Sequence, residues 1–577
     1  MSKKRIILIL IVILIIGGGL RFWNLSGPDM IFDDVLYAFR SIGYIDYVAA
    51  TNKQSTPVSW FAEPQWWQYI SFHDAPPLVF AIQWIFFKIG GQSIFVARIP
   101  FILIGLLSIF FIYLLGKQIG NAIVGLASAS VLAVMNYSIW ISRIGLLDGF
   151  LVLWIILSFY FFIKAQKNPQ NYMWWGIMLG LGILTKYTFL FMGPVFLIAL
   201  LWWQRSAWRQ KWLYCGLFAA LLLISPLIVY NFMMWQERGH LDAALSTLIG
   251  QHPEDFSGLT REVRRSFNIF GTAYTLVART MSIGFQILIG FSIIGLLYAT
   301  INDRGRKYIY IMLWLGIAWS LGMLALIGGS ERFGVILLPF IALAIGLGGC
   351  LLCNTLQGPK RTIMAGIVIV MFLWEMLFAI QNQLIPAPFL NNALISSANR
   401  PRWAGYNQLD QYVENFYKTY SDPSYIVTFG DEPQLIHYQT KLIEKRAEKN
   451  PHVQQSHLLV YDDRMDWTPS IWVFERRRLY DSSPIHSLTQ FLKTLSTKGT
   501  AFYANFGVED VIFILTTEIS RHSPVSDEWQ KKVEAISADL ALRVEPIDTI
   551  YSPLNEAVFT IYRVPLLPSS GKGEGAL

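Results

Sequence analysis

The chain of 577 residues is 54% hydrophobic and only 15% charged, and its mean hydropathy is +0.43. Soluble domains carry about 25% charged residues, so this composition excludes a disordered chain, a secreted disulfide scaffold and an ordinary soluble enzyme. Residues 1–382 hold 27 basic and 15 acidic side chains, whereas the remainder holds 19 and 23. The composition therefore predicts a basic membrane part and a water-soluble C-terminal part, and the positive charge does not indicate a nucleic-acid partner.

Apolar runs of near-spanning length fill the first two thirds of the chain. A helix that crosses a bilayer needs about 20 mostly apolar residues. The predicted spans are 6–23, 94–116, 121–141, 148–164, 172–185, 188–203, 212–234, 274–299, 308–328, 333–353 and 362–381. The first run also fits a signal peptide, but it lacks a small-residue cleavage site and ends in Arg21-Phe22-Trp23, which favours a retained helix.

Every second connection between these runs is basic. The basic connections contain Lys3, Lys4 and Arg5; Lys117; Lys164 and Lys167; Arg205, Arg209 and Lys211; Arg304, Arg306 and Lys307; and Lys360 and Arg361. Positively charged loops face the cytoplasm in multi-pass proteins. The sequence therefore predicts a multi-pass protein of the inner or plasma membrane with a cytoplasmic N-terminus, and eleven spans place residues 382–577 outside.

Two extracytoplasmic regions follow from this topology. The outer loop 24–93 is long and Trp-rich, and its segment 76–90 is too short to span, so an interfacial helix is expected there. We predict a membrane domain over 1–381, a soluble α/β domain over 382–570 and a disordered tail over 571–577. In the α/β domain the expected strands are 424–430, 457–461, 471–474, 510–515 and 557–562, and the expected helices are 408–420, 433–447, 484–497 and 527–541. The charged run 475–478 is most simply a solvated face.

The few acidic residues of the membrane part gather at its predicted outer side, together with other titratable groups. They are Asp33 and Asp34, Asp74 after His73, Arg143 and Asp148, Lys186, Glu331 and Arg332, and, in the loop after 212–234, His240, His252, Glu254 and Asp255. Taken singly, a charge at a helix end is more often an interfacial anchor than a functional group. The mixture of carboxylates with cations instead favours a site that handles a proton and an anionic leaving group together.

The order of these motifs resembles glycosyltransferase family 39, which contains protein O-mannosyltransferases and lipid A aminoarabinose transferases. The shared features are an acidic pair after the first helix, an acid before Pro-Pro-Leu, Arg…Leu-Leu-Asp, Leu-Thr-Lys and Glu-Arg-Phe…Leu-Leu-Pro, over roughly residues 1–380. The resemblance implies a GT-C membrane bundle, here of about 11 helices. It also implies a sugar donor on a polyprenyl phosphate and transfer at the outer face with inversion.

The resemblance also implies roles for individual residues. Asp33 matches the general base or acceptor-orienting acid, Asp34 matches the second acid of the pair, and Tyr37 matches an aromatic residue beyond them. Asp74 matches the acid before Pro-Pro, a third candidate catalytic residue, which in some members joins a His in a divalent-metal site. We take His252 as that His, in preference to His240, because it precedes an acidic pair.

Two positions depart from the aminoarabinose-transferase pattern. Ala75 stands where those enzymes have a Lys that contacts the donor phosphate, and Phe333 replaces a Tyr. The phosphate cation must then come from elsewhere in the outer group. The candidate substrate-binding residues are Tyr37, His73, Arg143, Asp148, Lys186 and Arg332.

The expected function is transfer of a sugar from a polyprenyl-phosphate donor to a lipid, glycan or protein acceptor. Membrane lipids are the other expected partners. The resemblance suggests a divalent metal ion as a cofactor and no other cofactor. Two other classes stay open: a multi-span transporter and a non-catalytic cell-envelope assembly protein with an exported binding domain. Transporters usually contain internal repeats and broken helices at the midplane, which the sequence does not reveal.

Overall fold

The computed structural model describes residues 2–46, 57–61, 65–256, 269–327, 330–355, 357–389, 400–420, 457–481, 483–505, 507–517 and 526–566. These residues divide into two compact units. The membrane unit takes the described residues of 1–25, 50–57 and 65–401. The sheet unit takes those of 26–49, 58–64 and 402–577.

The first 383 positions are helical over most of their described length. In chain order the helices are α1 Lys3–Phe22, α2 Asp33–Gly43, α3 Pro57–Trp60, α4 Leu78–Gly90, α5 Ile94–Ile119, α6 Ala122–Val134, α7 Asn136–Arg143, α8 Asp148–Ala165, α9 Asn171–Thr185, α10 Gly193–Trp202, α11 Lys211–Arg238, α12 Ala243–Ile249, α13 Ile269–Thr280, α14 Ile283–Asn302, α15 Lys307–Ile327, α16 Leu338–Thr355 and α17 Pro359–Gln383. Short 3₁₀ turns cover Trp66–Tyr69, Tyr187–Met192, Arg205–Arg209, Glu254–Phe256 and Phe333–Leu337.

The multi-pass helical architecture is confirmed, with fewer full-length spans than predicted. Within the described part of the chain, eight helices are long and apolar enough to cross a membrane, and the pair α6–α7, bent by 60°, makes nine. The predicted spans 172–185 and 188–203 are helical but short, since α9 has 15 residues and α10 has 10. The run 274–299 is also interrupted, because α13 ends at Thr280 and α14 begins at Ile283.

Charged side chains satisfy the backbone groups that these interruptions release. At the bend between α6 and α7, the fully buried Arg21 donates to the carbonyls of Leu132 and Ala133 at 2.8 and 3.1 Å. Glu375 accepts the backbone N–H groups of Asn136 at 2.8 Å and Ser282 at 2.9 Å, which begin α7 and α14. Because lipid offers no hydrogen bonds, helix breaks at membrane depth need such internal partners.

Helices α9 and α11 approach closely through two glycines. A Cβ atom added to Gly176 would lie 2.0 Å from the carbonyl oxygen of Gly216, and one added to Gly216 would lie 2.2 Å from that of Tyr172. Small residues at helix crossings let backbones touch and so supply the van der Waals contact that holds membrane helices together. The short helix α9 depends on this crossing for its position.

The described residues of the sheet unit form a five-stranded sheet with helices around it. Its elements are α18 Tyr406–Tyr420, β1 His457–Tyr461, α19 Trp467–Ser470, α20 Arg476–Tyr480, β2 Ile485–Ser487, α21 Leu488–Ala504, β3 Asp510–Thr516, α22 Asp527–Arg543, β4 Asp548–Tyr551 and β5 Ala557–Pro565. The strand order is β2-β1-β3-β5-β4, with β1 parallel to β2 and β3, and β5 antiparallel to β3 and β4. The predicted α/β character is confirmed.

One predicted strand is wrong. Residues 471–474 lie in a π-helical turn, Ile471–Glu475, that joins α19 to α20. Asp466 caps this helical stretch by accepting the N–H of Thr468 at 3.0 Å, and all four residues are buried. A short apolar run is compatible with a buried strand or a buried helix. Here the N-cap at Asp466 favours the helix. The predicted elements 424–430 and 433–447 and the tail 571–577 lie outside the described residues.

The predicted boundary at residues 381–382 differs from the division in the structure, where the described residues of the segment after α1 group with the C-terminal part. The described residues of 26–49, including α2, belong to the sheet unit. Within that unit Asp29 accepts the N–H groups of Ala404 at 2.6 Å and Asn407 at 3.0 Å. These contacts join residues almost 380 positions apart, a distance that no local pattern in the sequence reveals.

The glycine crossing predicts a position-specific loss of stability. Gly176→Val should lower the detergent-solubilised protein's melting temperature by several degrees, since the new side chain meets backbone atoms that cannot move aside. Gly290→Val is the matched control, because a Cβ at Gly290 of α14 meets nothing within 4 Å. Equal melting temperatures for the two variants would contradict the crossing.

The buried His486 of the sheet unit predicts loss of stability in acid. Burial, with a smaller effect from Arg478, lowers the pKa of His486 to about 3, against 6.5 for an exposed ring. Below pH 6.5 the unfolded chain binds a proton at His486 that the folded chain does not bind. The free energy of unfolding is therefore highest above pH 6.5 and falls as the pH drops towards 3. The protection factors of β3 amides against hydrogen exchange should fall over this range, and His486→Gln should flatten the change. An equally steep change in the variant would contradict this origin.

Candidate functional site

Asp33, Asp34 and Tyr37 lie together on α2 of the sheet unit. Asp33 is half-buried at the first position of the helix, and Asp34 is only 1% exposed. The Tyr37 hydroxyl lies 3.5 Å from an Asp33 carboxylate oxygen, one helical turn away. Both carboxylates lie in the first turn of α2.

The residue that precedes this acidic pair has a strained backbone. Phe32 caps α2 with φ 50° and ψ −132°, a conformation that is unusual for a bulky side chain. Such residues cost on the order of 1–3 kcal/mol each and persist only where the surroundings hold them in place. The strained start of α2 therefore indicates that the direction of Asp33 and Asp34 is fixed by contacts elsewhere in the sheet unit.

In the membrane unit, Lys186 and Asp148 form a close ion pair. The Lys186 ammonium lies 2.7 Å from each carboxylate oxygen of Asp148, and the Asp148 side chain is 2% exposed. Asp148 begins α8, while Lys186 lies at the junction that follows α9. Two of the sequence-predicted residues, 38 positions apart, are thus neighbours in the fold.

Phe333 lies under two cations. The Lys186 ammonium is 4.7 Å and the Arg332 guanidinium 4.8 Å from its ring centroid. The Tyr137 hydroxyl donates to the Glu331 carbonyl and so fixes the segment that carries Arg332. A phenylalanine keeps the aromatic face that attracts cations although it lacks the hydroxyl of a tyrosine. Lys186, Arg332 and Phe333 thus form one cationic cluster, which we call the cation cluster.

Next to the cation cluster lies a buried hydrogen-bond network around Asp242. Its carboxylate accepts from the Tyr187 hydroxyl, from the Asn231 amide at 2.8 Å and from the Leu245 N–H at 2.8 Å. The N–H of the next residue, Ala243, donates to the His73 carbonyl at 2.7 Å. The network therefore connects the segment of His73 and Asp74 to Tyr187, the neighbour of Lys186.

Burial raises the pKa of Asp242, and the hydrogen bonds from Leu245, Tyr187 and Asn231 only partly offset this effect. Asp242 caps α12 and holds α11, α12 and the Tyr187 turn together. Sequence reasoning missed Asp242, because an acid before a short helix is usually a simple N-cap. Its Tyr and Asn partners come from other helices, which the local sequence does not identify.

His240, not His252, lies near His73. The ring of Phe256 stacks on His73 with centroids 5.6 Å apart and meets His240 edge-on at 5.1 Å. His240 also lies 3.0 Å from Asp255. His252 is exposed on the rim of an open polar cavity of about 530 Å³ lined by residues 237–240 and 251–255. The order of residues along the loop did not reveal which histidine lies near His73, since the backbone turns at Gly239 and Gly250, where φ is positive.

Potential metal ligands in the membrane unit are His73 and Asp74, whose ligand atoms lie within 4.8 Å of each other. An imidazole nitrogen and a carboxylate oxygen suit Zn²⁺ or Mn²⁺. Among the described residues, no group of three or more close ligand side chains includes His252. The structure thus gives Asp74 a neighbour different from the one expected.

Arg143 has a structural role, because it satisfies backbone carbonyls. Its guanidinium donates to the carbonyls of Arg21 at 2.9 Å, Trp23 at 2.7 Å and Asn24 at 3.2 Å, in the last turn of α1 and just beyond it. Cations at a helix C-terminus satisfy carbonyls that have no partner within the helix. Because these contacts occupy both terminal nitrogens, Arg143 is a poor candidate for the phosphate, and the cation cluster is the better one.

The ion pair predicts a non-additive double-mutant cycle. Lys186→Met and Asp148→Asn should each cost about 3–5 kcal/mol of stability, since each leaves a buried charge without its partner. The double variant should cost less than the sum of the two single variants. Thermal unfolding in one detergent measures all four proteins, and strictly additive costs would show that the two side chains do not interact.

Comparison with known proteins identifies relatives of this arrangement. The family model described as dolichyl-phosphate-mannose-protein mannosyltransferase matches residues 74–230. The match begins at Asp74 and includes Asp148, Lys186 and most of α11. No curated protein matches the chain. The resemblance to glycosyltransferase family 39 is confirmed in this segment.

Solved structures give the fold. ArnT from Cupriavidus metallidurans, bound to undecaprenyl phosphate, is 13% identical over 100% of both chains, with a TM-score of 0.54. An Archaeoglobus fulgidus oligosaccharyltransferase in complex with Zn and sulfate is 14% identical over 88% of this chain and 67% of that chain, with a TM-score of 0.47. The S. cerevisiae protein O-mannosyltransferase Pmt1–Pmt2 complex, bound to its sugar donor, is 21% identical over 43% and 36%, with a TM-score of 0.30. The likeness to ArnT supports the GT-C membrane fold with a C-terminal sheet unit.

Proposed function

We propose that the protein is a membrane glycosyltransferase that transfers a sugar from a polyprenyl-phosphate donor to an acceptor at the extracytoplasmic face. The observation that carries this proposal is the position of the cation cluster. Lys186 lies inside the segment that matches the mannosyltransferase family model and connects through Tyr187 and Asp242 to the segment of His73 and Asp74. The ArnT relative binds undecaprenyl phosphate, which supports the choice of donor.

The proposed reaction is a single displacement. The Asp33 carboxylate takes the proton of an acceptor hydroxyl or amine, whose oxygen or nitrogen attacks the anomeric carbon from the side opposite the phosphate. The bond from the anomeric carbon to the phosphate oxygen breaks, and the polyprenyl phosphate leaves with the electron pair. One displacement inverts the anomeric carbon, as in inverting glycosidases. Asp34 and Tyr37 would orient the acceptor beside Asp33.

The cation cluster would stabilise the leaving phosphate. Lys186 and Arg332 both approach the face of Phe333, so their positions are fixed before the donor arrives. Fixed positive charge near developing negative charge lowers the barrier without reorganisation during the reaction. Asp148 holds the Lys186 ammonium, and this arrangement compensates for the lysine that is absent at Ala75. His73, when protonated, is a further candidate.

The proposal includes a divalent metal ion, which His73 and Asp74 would hold. Their donor atoms fit such an ion, which would supply positive charge for the donor phosphate when bound. His252 stays in the proposal as a ligand only if its exposed loop moves. The acceptor class, whether lipid, glycan or protein, is left to the assay.

The proposed topology has the N-terminus in the cytoplasm and the sheet unit outside. The basic connections, such as Lys117 and Lys164, support this orientation by the positive-inside rule. A transporter or a non-catalytic assembly protein is the alternative, and each predicts that no lipid phosphate is released from any donor.

Asp33→Asn tests the assignment of the base. The variant should lose at least 100-fold in turnover, because general-base catalysis contributes about 10²- to 10⁴-fold, while donor binding persists. Purified protein is incubated with a panel of polyprenyl-phosphate sugars and acceptors, and the released lipid phosphate is quantified.

Asp527→Asn is the matched control, since Asp527 also begins a helix of the sheet unit but is exposed. The control should turn over at the wild-type rate. Wild-type turnover in Asp33→Asn would reject Asp33 as the base. No transfer by the wild type over a broad panel would reject the glycosyltransferase itself.

A further inference from the structure

We infer that the C-terminal part of the sheet unit positions α2, the helix that carries the proposed catalytic acids, through Asn407 and Tyr480. The inference rests on the proposed function, since Asp33 and Asp34 are assigned there. It gives the C-terminal part a role in catalysis that needs no contact of its own with the donor. Asn407 and Tyr480 are therefore positioning residues.

The segment before α2 is held by Asn407. Its side-chain amide donates to the carbonyls of Ser26 at 2.6 Å, Gly27 at 2.8 Å and Pro28 at 2.8 Å. In return, the Asp29 carboxylate accepts the N–H groups of Ala404 and Asn407, and the Asp29 N–H donates to the Arg402 carbonyl at 2.9 Å. Asn407 and Asp29 are both buried, at 3% exposure each. The stretch of backbone before the acidic pair is thus fixed to the start of α18.

The other end of α2 is held by Tyr480. The Tyr480 hydroxyl donates to the Phe39 carbonyl at 2.6 Å, and the two rings pack with centroids 5.4 Å apart. Phe39 lies in the last turns of α2 and is 1% exposed. A helix held before its first turn and near its last turn cannot rotate or slide without breaking one of these contacts.

The two anchors belong to one rigid block. Asp410 of α18 accepts from Arg476 of α20 at 2.9 Å and also from Arg477, whose second terminal nitrogen donates to Glu414 at 3.0 Å. The arginines are 2% and 3% exposed, so the prediction that 475–478 forms a solvated face is wrong. Burial would raise the pKa of Asp410, but the charges of Arg476 and Arg477 lower it, so the carboxylate stays ionised.

This block contains the π-helical turn Ile471–Glu475. A π-turn inserts an extra residue and turns the side chains that follow it, and such turns occur frequently at functional sites. Here it lies between Asp466, which caps α19, and Tyr480, which meets α2. The direction of Tyr480, and with it that of α2, thus depends on a helix irregularity that the ion pairs keep in place.

Tyr480→Phe is the first test, made in full-length protein. It removes one hydroxyl and keeps the ring, so the sheet unit should fold. We expect kcat to fall about 10- to 100-fold with the donor KM little changed, because a misplacement of about 1 Å can cost 100-fold.

Tyr503→Phe is the matched control. Its hydroxyl is bonded to His486 at 3.2 Å in the same unit, and its ring packs on Phe491 in a part of the core without α2. This variant loses a buried hydrogen bond of the same kind and should keep wild-type kcat. Equal losses in the two tyrosine variants would overturn the inference, since they would report general destabilisation.

Asn407→Ala, followed by hydrogen exchange, separates positioning from folding. Amides of α2 should exchange faster than in the wild type, while those of β3 keep their protection and kcat falls with KM little changed. Unchanged kcat in both Asn407→Ala and Tyr480→Phe, beside an inactive Asp33→Asn, would overturn the inference and leave the proposed function intact. An inactive wild type would instead reject the proposed function.

Discussion

The structure depends on one constraint: backbone groups that are released where membrane helices break must find hydrogen-bond partners inside the protein. Three charged side chains meet this need. Arg21 of α1 serves the bend before α7, Glu375 serves the beginnings of α7 and α14, and Arg143 of α7 serves the end of α1. The breaks allow α7 to leave the direction of α6 and to carry Tyr137 to the segment of Arg332.

This constraint changes how scarce charges in a membrane part are interpreted. Arg143 and Asp148 are separated by only five positions, yet the first satisfies carbonyls of α1 and the second holds Lys186. Glu375 is an intramembrane acid, for which function is the usual first hypothesis. Its two backbone partners instead give it a structural role. A charge is thus best assigned to function after its backbone partners are known.

The sequence was sufficient for the features that depend on local periodicity. Apolar runs located each described helix that is long enough to span a membrane, and short runs of apolar residues located β1, β3 and β5. It was insufficient at Ile471–Glu475, where four buried apolar residues fit a strand as well as a helix. The short strands Ile485–Ser487 and Asp548–Tyr551 also lack a clear pattern, since each is only three or four residues long.

The candidate site was only partly predictable for a different reason. The motif order found Asp148 and Lys186, which the structure brings together, because each lies at a helix end on the same side of the membrane. It did not find Asp242, whose partners Tyr187 and Asn231 come from other elements of the fold. It also could not reveal that Asn407 holds the segment before Asp33, since about 380 residues separate them.

The anomeric configuration of the product tests the central claim most directly. A polyprenyl-phosphate sugar of known configuration is transferred by the purified protein, and the configuration of the product is determined by NMR before it can equilibrate. A single displacement predicts that the anomeric centre is inverted. Retention of configuration would exclude a single in-line displacement and would contradict the role proposed for Asp33 as the base.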